Sequence, residues 1–393
     1  MPTAGTRRPA WAEVDLGAVA HNARALAAIA APARLCAVVK ADAYGHTAVP
    51  VARAALEGGA SELAVALVDE GLELREAGVE APILVLSEPA PDAMEAALAH
   101  DLVPTLYTPA GVAAARTAAR RLASFGAATV PFAVEVKVDT GMHRVGAAPE
   151  ELCGVLGPLL EAPELRYGGL WTHFAVADEV GDGFTAEQLE RFEAVRAHLA
   201  AQSMPPPSRL HAANSAGAIA WPASRYDLVR CGIGLYGYSP GPEVGPALAA
   251  ELARVGSAPL RPVMSLKAQV TMVRRYPAGE RCSYGRVSPL ETDSVVATVP
   301  LGYADGVDRG YFAAGGEVLI GGRRCKLAGT VTMDQIVVSC GPDADVAPGD
   351  EVVLMGRQGD EEVTAEEWAR CLGTIPYEVI TRLGLRVPRL HLR

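Results

Sequence analysis

Through the first two-thirds of the chain, short apolar runs alternate with Ala-rich amphipathic stretches, the rhythm of strand–helix units. The apolar runs predict strands at 35–39, 63–67, 83–86, 103–106, 131–138, 168–172, 209–212 and 228–231. Helical periodicity lies between them at 69–77, 91–99, 110–122 and 185–202, with Gly58 and Gly78 placed as helix C-caps. Eight such repeats within about 240 residues match the size of a (β/α)8 TIM-like barrel, with a doubly wound open sheet as the alternative. Beyond Gly237 the pattern changes. Ser239-Pro-Gly-Pro and Gly245-Pro make a turn-rich junction, followed by β-branched runs at 268–273, 294–299, 317–320, 336–339 and 351–355 and one late helix at 364–372. The pattern predicts a barrel over residues 1–244 and a mostly antiparallel β domain over 245–393.

The fifth predicted strand carries more than periodicity. Phe132, Val134, Val136 and Val138 share one face, which leaves Glu135, Lys137 and Asp139 on the other. If the apolar face meets the outer helices, three ionisable groups point into the barrel. There they need partners, because unpaired buried charge is costly. The carboxyl ends of other predicted strands are also polar: Lys40 after the first, Arg144 beyond the fifth, His173 after the sixth, Asn214-Ser215 after the seventh and Arg230 at the eighth. A lone lysine or histidine in such a place is usually solvated or structural. Several together, at the end where barrels carry their chemistry, point to a site.

Composition narrows the class. The net charge of −11 and the isolation of basic pairs such as Arg120-Arg121 and Arg323-Arg324 exclude a nucleic-acid surface. Arg7-Arg8 is followed by no apolar stretch, and the run 25–33 contains Pro32 and is too short to span a bilayer, so neither export nor a membrane partner is expected. Seven cysteines without a C-x-x-C pair fit neither a disulfide framework nor a zinc site; the expected compartment is cytoplasmic, and no metal is expected.

The segment Val38-Val-Lys-Ala-Asp-Ala-Tyr-Gly-His46 resembles the cofactor-lysine signature of the alanine racemases, a pyridoxal-phosphate family with an N-terminal barrel and a C-terminal β domain. Similar segments run nearly end to end: Trp11-Ala-Glu-Val-Asp15, Lys137-Val-Asp-Thr-Gly-Met-His-Arg144, Thr172-His-Phe-Ala175, Ala213-Asn-Ser215, Val229-Arg-Cys-Gly-Ile-Gly-Leu-Tyr-Gly237, Ser283-Tyr-Gly-Arg286, Gly302-Tyr-Ala-Asp-Gly306, Thr332-Met-Asp-Gln335 and Ile375-Pro-Tyr-Glu378. Their order and spacing together carry the resemblance.

The resemblance implies an isomerase that interconverts L- and D-alanine and supplies D-alanine for peptidoglycan. Lys40 would form a Schiff base with pyridoxal 5′-phosphate, and its freed amine would act as general base on one face of the substrate. Tyr284, from the other subunit of a homodimer, would serve the opposite face; a tyrosine starts with a pKa near 10 and needs help from its neighbours, here His173 and Arg230. Arg230 would face the pyridine nitrogen and, as a permanent cation, keep it unprotonated, which weakens the cofactor as an electron sink. The phosphate would be held by Tyr44, Asn214, Ser215, Gly232, Ile233 and Tyr377. Arg144, Met333 and Tyr303 would lie on the substrate side, and Lys137 matches a position that is carbamylated in some relatives. The sequence departs from the family pattern at Asp42, His143, Thr330 and Thr332, where Asn, Gly, Arg and Cys are common. Rival readings are a broad or basic-amino-acid racemase, a decarboxylase of the same fold type (disfavoured by Arg230 and the Tyr284 motif), and a non-catalytic pyridoxal-phosphate-binding protein, which typically consists of a barrel alone.

Overall fold

The computed structural model describes residues 8–125 and 131–393; residues 1–7, with Arg7 of the Arg7-Arg8 pair, and 126–130 lie outside the described residues. By its internal contacts the chain forms two units. One gathers residues 18–43 and 48–261, the other 8–17, 44–47 and 262–393. The divisions therefore fall at Gly17/Ala18 and Arg261/Pro262, with a four-residue excursion at 44–47, where the sequence pattern suggested one cut at 244/245.

The first strand, β1 (Ala10–Asp15), belongs to the second unit. Eight parallel strands build the barrel: β2 (Arg34–Val38), β3 (Glu62–Val65), β4 (Ile83–Val85), β5 (Leu102–Leu106), β6 (Phe132–Lys137), β7 (Leu165–Trp171), β8 (Leu210–His211) and β9 (Leu228–Cys231). Their order is β8-β7-β6-β5-β4-β3-β2-β9. Two main-chain hydrogen bonds bring the ends of this sheet together, from Asp227 N–H to Leu210 O at 3.1 Å and from Arg230 N–H to Ala213 O at 2.9 Å. The doubly wound alternative is thereby excluded, because an open sheet has two free edges.

On β6 the alternation read from the sequence holds. Phe132, Val134 and Val136 pack with Val112, Ala115, Leu156 and Phe192 of the surrounding helices. Each such side chain contributes about 1.5–3 kcal/mol on burial. The alternate residues Glu135 and Lys137 are buried on the other face. Gly169 of β7 makes room for the carboxylate: a Cβ there would stand 2.7 Å from Glu135 Cδ. At the predicted C-caps, Gly78 has a left-handed φ of 79°, but after the helix Ala48–Glu57 it is Gly59, at 103°, that turns the chain. Gly58 is needed for close approach instead, since its Cβ would lie 2.5 Å from Ala20 O.

The second unit holds β10 (Met264–Gln269), β11 (Met272–Tyr276), β12 (Ser294–Val299), β13 (Glu317–Ile320), β14 (Arg323–Leu327), β15 (Ile336–Ser339), β16 (Glu351–Gln358), β17 (Glu361–Val363) and β18 (Arg389–Leu392). The main sheet runs β11-β12-β15-β14-β13-β16-β10-β1-β18, antiparallel except for the parallel pair β1–β18, with β17 paired to β16. The single strand expected at 268–273 is two. Residues 264–269 pair with β1 and β16, whereas 272–276 pair with β12, so one continuous apolar run spans the pivot between them. The junction after Gly237 also contains the helix Val244–Arg254, which the turn-rich composition concealed. The late helix spans Ala365–Leu372, capped by Thr364, whose hydroxyl accepts from Glu367 N–H at 3.0 Å.

Candidate active site

Lys40 follows β2 and begins an unusual stretch of backbone. Ala41, Asp42, Ala43 and Tyr44 all have φ between 51° and 54°, a left-handed turn of four residues that carry a Cβ. Each costs about 1–2 kcal/mol relative to right-handed geometry, so the turn persists only because its surroundings hold it. Ala41 N–H donates to Glu70 Oε1 at 2.6 Å, and Asp42 Oδ1 accepts from Ala48 N–H at 2.7 Å. Glu70 also accepts from Ala66 and Leu67 N–H, at the start of the helix Val68–Glu76. Asp42, where the family commonly has Asn, preserves the acceptor this turn requires. His143, where the family has Gly, also sits at a left-handed φ of 54°. Histidine is among the non-glycine residues that tolerate that region. Its ring Nδ1 is 3.5 Å from Asp139 Oδ2, and Asp139 Oδ1 accepts from Gly141 and His143 N–H.

Inside the barrel a chain of charged and polar groups runs across four strands. Arg209 pairs with both Glu62 and Glu135. His211 Nε2 is 2.8 Å from Glu135 Oε2, and Arg230 Nη1 is 2.6 Å from His211 Nδ1. Arg230 Nη2 shares its two hydrogens among Thr172 O, Ala212 O and His173 Nδ1 at 2.9, 3.0 and 3.2 Å. Because a guanidinium only donates, His211 accepts on Nδ1 and donates from Nε2 to Glu135, while a neutral His173 carries its proton on Nε2. Arg230 Nε is buried and has no hydrogen-bond partner among the described residues. Trp171 forms the wall: its ring stacks on His211 at 5.4 Å, with Lys137 Nζ 4.9 Å and the Arg230 guanidinium 4.6 Å from its centroid.

These cations shape one another. Burial, then Arg144, lowers Lys40 below the ordinary lysine value, against Glu70. Burial together with Arg230 and Arg144 brings Lys137 down to about 7. Burial and Arg230 hold His173 well below the usual imidazole range. Burial lowers His211 to about 4 despite Glu135; burial would raise Glu135, but His211 and Arg209 outweigh it and bring it to about 2. Arg230 falls to about 10 through burial and stays cationic at neutral pH.

At the neighbouring strand end, Ser215 Oγ accepts from Gly232 N–H at 3.0 Å and Gly234 N–H at 3.3 Å, which joins the loops after β8 and β9 and fixes Ile233 between them. Asn214 Oδ1 caps the short helix Ser215–Ala220 by accepting from Gly217 N–H at 2.9 Å. The barrel unit thus brings together Lys40, Lys137, Arg144, His173, Arg230 and the loop residues Asn214, Ser215, Gly232 and Ile233.

The second unit gathers the others in three places. Tyr44 and Tyr377 form a ring pair with centroids 6.2 Å apart. Tyr303 N–H donates to Thr332 O at 2.9 Å and Ala304 N–H to Met333 O at 3.0 Å, so the two segments lie side by side. Gly302 permits this approach, since a Cβ there would be 2.3 Å from Thr332 O. Tyr284 is 75% exposed, next to Ser283, whose hydroxyl donates to Thr330 O at 2.6 Å.

Two family models, described as the N-terminal and C-terminal domains of alanine racemase, match residues 14–240 and 263–391. The chain belongs to the alanine racemase family. It is 45% identical over 384 residues to the alanine racemase of Symbiobacterium thermophilum, covering 98% of this chain and 97% of that one. The solved alanine racemase of Streptomyces lavendulae superposes with a TM-score of 0.88 at 39% identity, covering 99% of this chain and 98% of that chain. The histidine racemase of Leuconostoc mesenteroides shares the fold at 27% identity and a TM-score of 0.84, with 99% of each chain covered.

Several residues of this alanine racemase fold were not singled out from sequence: Glu62, Glu70, Trp171, Arg209 and His211. Arg209 and His211 had a usable signal. They sit two apart on one strand face, as Glu135 and Lys137 do, which marks them as inward-facing partners for that charge.

Proposed function

We propose that the protein racemises alanine with pyridoxal 5′-phosphate bound at Lys40, in a homodimer whose sites combine residues of both subunits, and that its D-alanine serves peptidoglycan synthesis. The observation that carries the cofactor reading is Arg230 Nε. A buried guanidinium N–H without a partner, on a cation braced by two histidines, suits an unprotonated pyridine nitrogen as acceptor. Tyr44, Tyr377, Asn214, Ser215, Gly232 and Ile233 would hold the phosphate. The cofactor supplies the electron sink that makes the substrate α-proton acidic.

This chain's own residues do the rest. Lys40, its proton affinity lowered by burial and Arg144, serves one face of the substrate α-carbon as base. Tyr284 of the partner subunit serves the other face, and its exposure leaves it available to a second copy. His173, kept neutral beside Arg230, lends that tyrosine a hydrogen bond without adding another cation. Arg144 binds the substrate carboxylate together with the backbone of the partner subunit's Met333, and Tyr303 lines the entrance. Lys137 is carbamylated: an amine lowered to about 7 is about half unprotonated, and so nucleophilic toward CO2, at neutral pH, and the resulting anion replaces repulsion from Arg230 and Arg144 by attraction.

The test incubates purified protein and pyridoxal phosphate with single enantiomers of Ala, Ser, His, Lys and Arg, followed by chiral analysis of the products. Alanine should turn over with the highest kcat/KM; no racemisation of alanine would overturn the proposal. A second reading, a racemase of larger amino acids, is favoured by the histidine racemase fold match and by Thr330 and Thr332 at the entrance. The same panel separates it.

A further inference from the structure

On the helix Phe184–Ala201, the fully buried Gln188 turns its amide to the residues around His173 and engages both of its amide N–H groups and its carbonyl oxygen. Gln188 Nε2 donates to His173 O at 3.1 Å and to Thr140 Oγ1 at 3.2 Å. Gln188 Oε1 accepts from Ala175 N–H at 2.9 Å. The orientation of the amide is fixed by this set, because a carbonyl at His173 demands a donor and the N–H of Ala175 demands an acceptor. Thr140 Oγ1 lies 2.8 Å from Thr172 Oγ1, and both threonines are buried. From the same helix, Arg191 Nη1 donates to Thr140 O at 3.0 Å.

The main chain from Thr172 to Ala175 is therefore held from two sides. Arg230 grips Thr172 O from inside the barrel. Gln188 grips His173 O and Ala175 N–H from the helix, as a neighbouring strand would. The His173 ring between these anchors meets Arg230 Nη2 at 3.2 Å, near the long end of the hydrogen-bond range. Shifting the backbone of His173 would break that contact first. β6 stops at Lys137 and β7 at Trp171; one further main-chain bond, from Thr172 N–H to His211 O at 3.2 Å, precedes His173, and residues 173–175 lie beyond the regular ladder.

We propose that Gln188 is a positioning residue for racemisation: its amide locks the His173 main chain to the Thr140 loop and so keeps His173 Nδ1 on Arg230. The proposal rests on the racemase reading of the site. Gln188 touches neither substrate nor cofactor in that reading; it acts through His173. Displacements of an ångström in a supporting residue are enough to lower turnover by orders of magnitude.

The test uses Gln188→Met, which preserves length and removes all three hydrogen bonds, in the full-length protein reconstituted with pyridoxal phosphate. For alanine, kcat should fall about tenfold or more while KM changes less than about threefold, the signature of an interaction needed in the transition state rather than for binding. A readout independent of turnover is nitrogen-15 NMR of labelled histidines, with the His173 signals identified by their loss in His173→Phe. The wild-type ring should be fixed as the Nε2–H tautomer, and in Gln188→Met the two nitrogen shifts should move toward each other as tautomers exchange. If Gln188→Met does not fold, Gln188→Glu takes its place: it retains the acceptor for Ala175 and sets a carboxylate against His173 O. A folded variant with kcat within twofold of wild type, or with unchanged His173 shifts, would overturn the proposal. Wild-type protein that does not racemise alanine would overturn the functional reading instead, leaving the NMR comparison as the test of Gln188.

Discussion

Arg230 Nη1 donates to His211 Nδ1 across 2.6 Å in the barrel interior, and this contact sets the proton order of everything around it. Since the guanidinium cannot accept, His211 must donate from Nε2 to Glu135, and Glu135, already paired with Arg209, remains ionised. Arg230 is thus held cationic from behind, and its Nε stays available as a donor.

The first prediction concerns that donor. Arg230→Glu should lower racemisation about 100-fold or more, because it removes the cation that holds His173 and His211 in place. A carboxyl that can protonate the pyridine nitrogen meanwhile strengthens the electron sink and favours side reactions. Transamination per turnover should rise, measured as pyruvate formed from alanine. An unchanged ratio of the two reactions would show that Arg230 does not face the ring nitrogen.

Lys40 should carry the cofactor. Borohydride treatment of the yellow holoprotein followed by peptide mapping should leave the label on Lys40, and Lys40→Ala should lose about 10³-fold or more of its activity. Label on any other lysine would remove the basis of the mechanism.

For Lys137, protein equilibrated with carbon-13 bicarbonate at neutral pH should show a carbamate carbon resonance that disappears in Lys137→Met. Acidification should release it. Absence of the signal, with a free ammonium seen beside Arg144, would refute carbamylation.

Sharing of the site between subunits predicts complementation. Lys40→Ala and Tyr284→Phe homodimers are each inactive; after random exchange half the dimers are mixed, and each mixed dimer holds one intact site. Activity should recover to roughly a quarter of wild type. Exchange confirmed by tagged subunits without recovery would place both residues in one chain.

The buried relay predicts acid sensitivity. His211 titrates near 6.5 when unfolded and about 4 when folded, so the unfolded chain binds more protons in that window and stability falls as pH drops through it, by up to about 1.4 kcal/mol per pH unit for this one group. Glu135, at about 2 in the fold, acts in the same direction lower down: its contribution is complete above the ordinary glutamate range and is lost as pH falls toward 2. Thermal midpoints between pH 7 and pH 4 should decline, and His211→Gln should flatten the part of that decline between about 6.5 and 4. An equal slope in the variant would show that His211 is not kept neutral.

Much of the barrel was readable because its strands are short apolar runs, as at β4, and because β6 alternates strictly. The inward charge of Glu135 followed from that alternation. Its partners Arg209 and His211 show the same two-residue alternation on their predicted strand, but no local pattern tells which strand faces which across the barrel. The place of β1 was hidden for another reason: its antiparallel partner β10 lies at 264–269, and no local pattern reports a pairing across that span. Lys40 was legible as a motif, but the sign of its backbone dihedrals was not, because Ala, Asp and Tyr carry no preference for left-handed geometry strong enough to predict four in succession.

That left-handed turn bears on how transferable the lysine motif is. A string of nine letters invites grafting onto another barrel, yet its shape is enforced by Glu70, which lies 29 positions downstream of Ala41, and by the amide of Ala48. Copied without them, the same letters would relax into a right-handed helix and swing Lys40 away from the barrel axis. The portable unit is therefore the motif plus the start of the next strand–helix repeat, and variation at Glu70 should be as constrained in this lineage as variation at the lysine whose turn it holds.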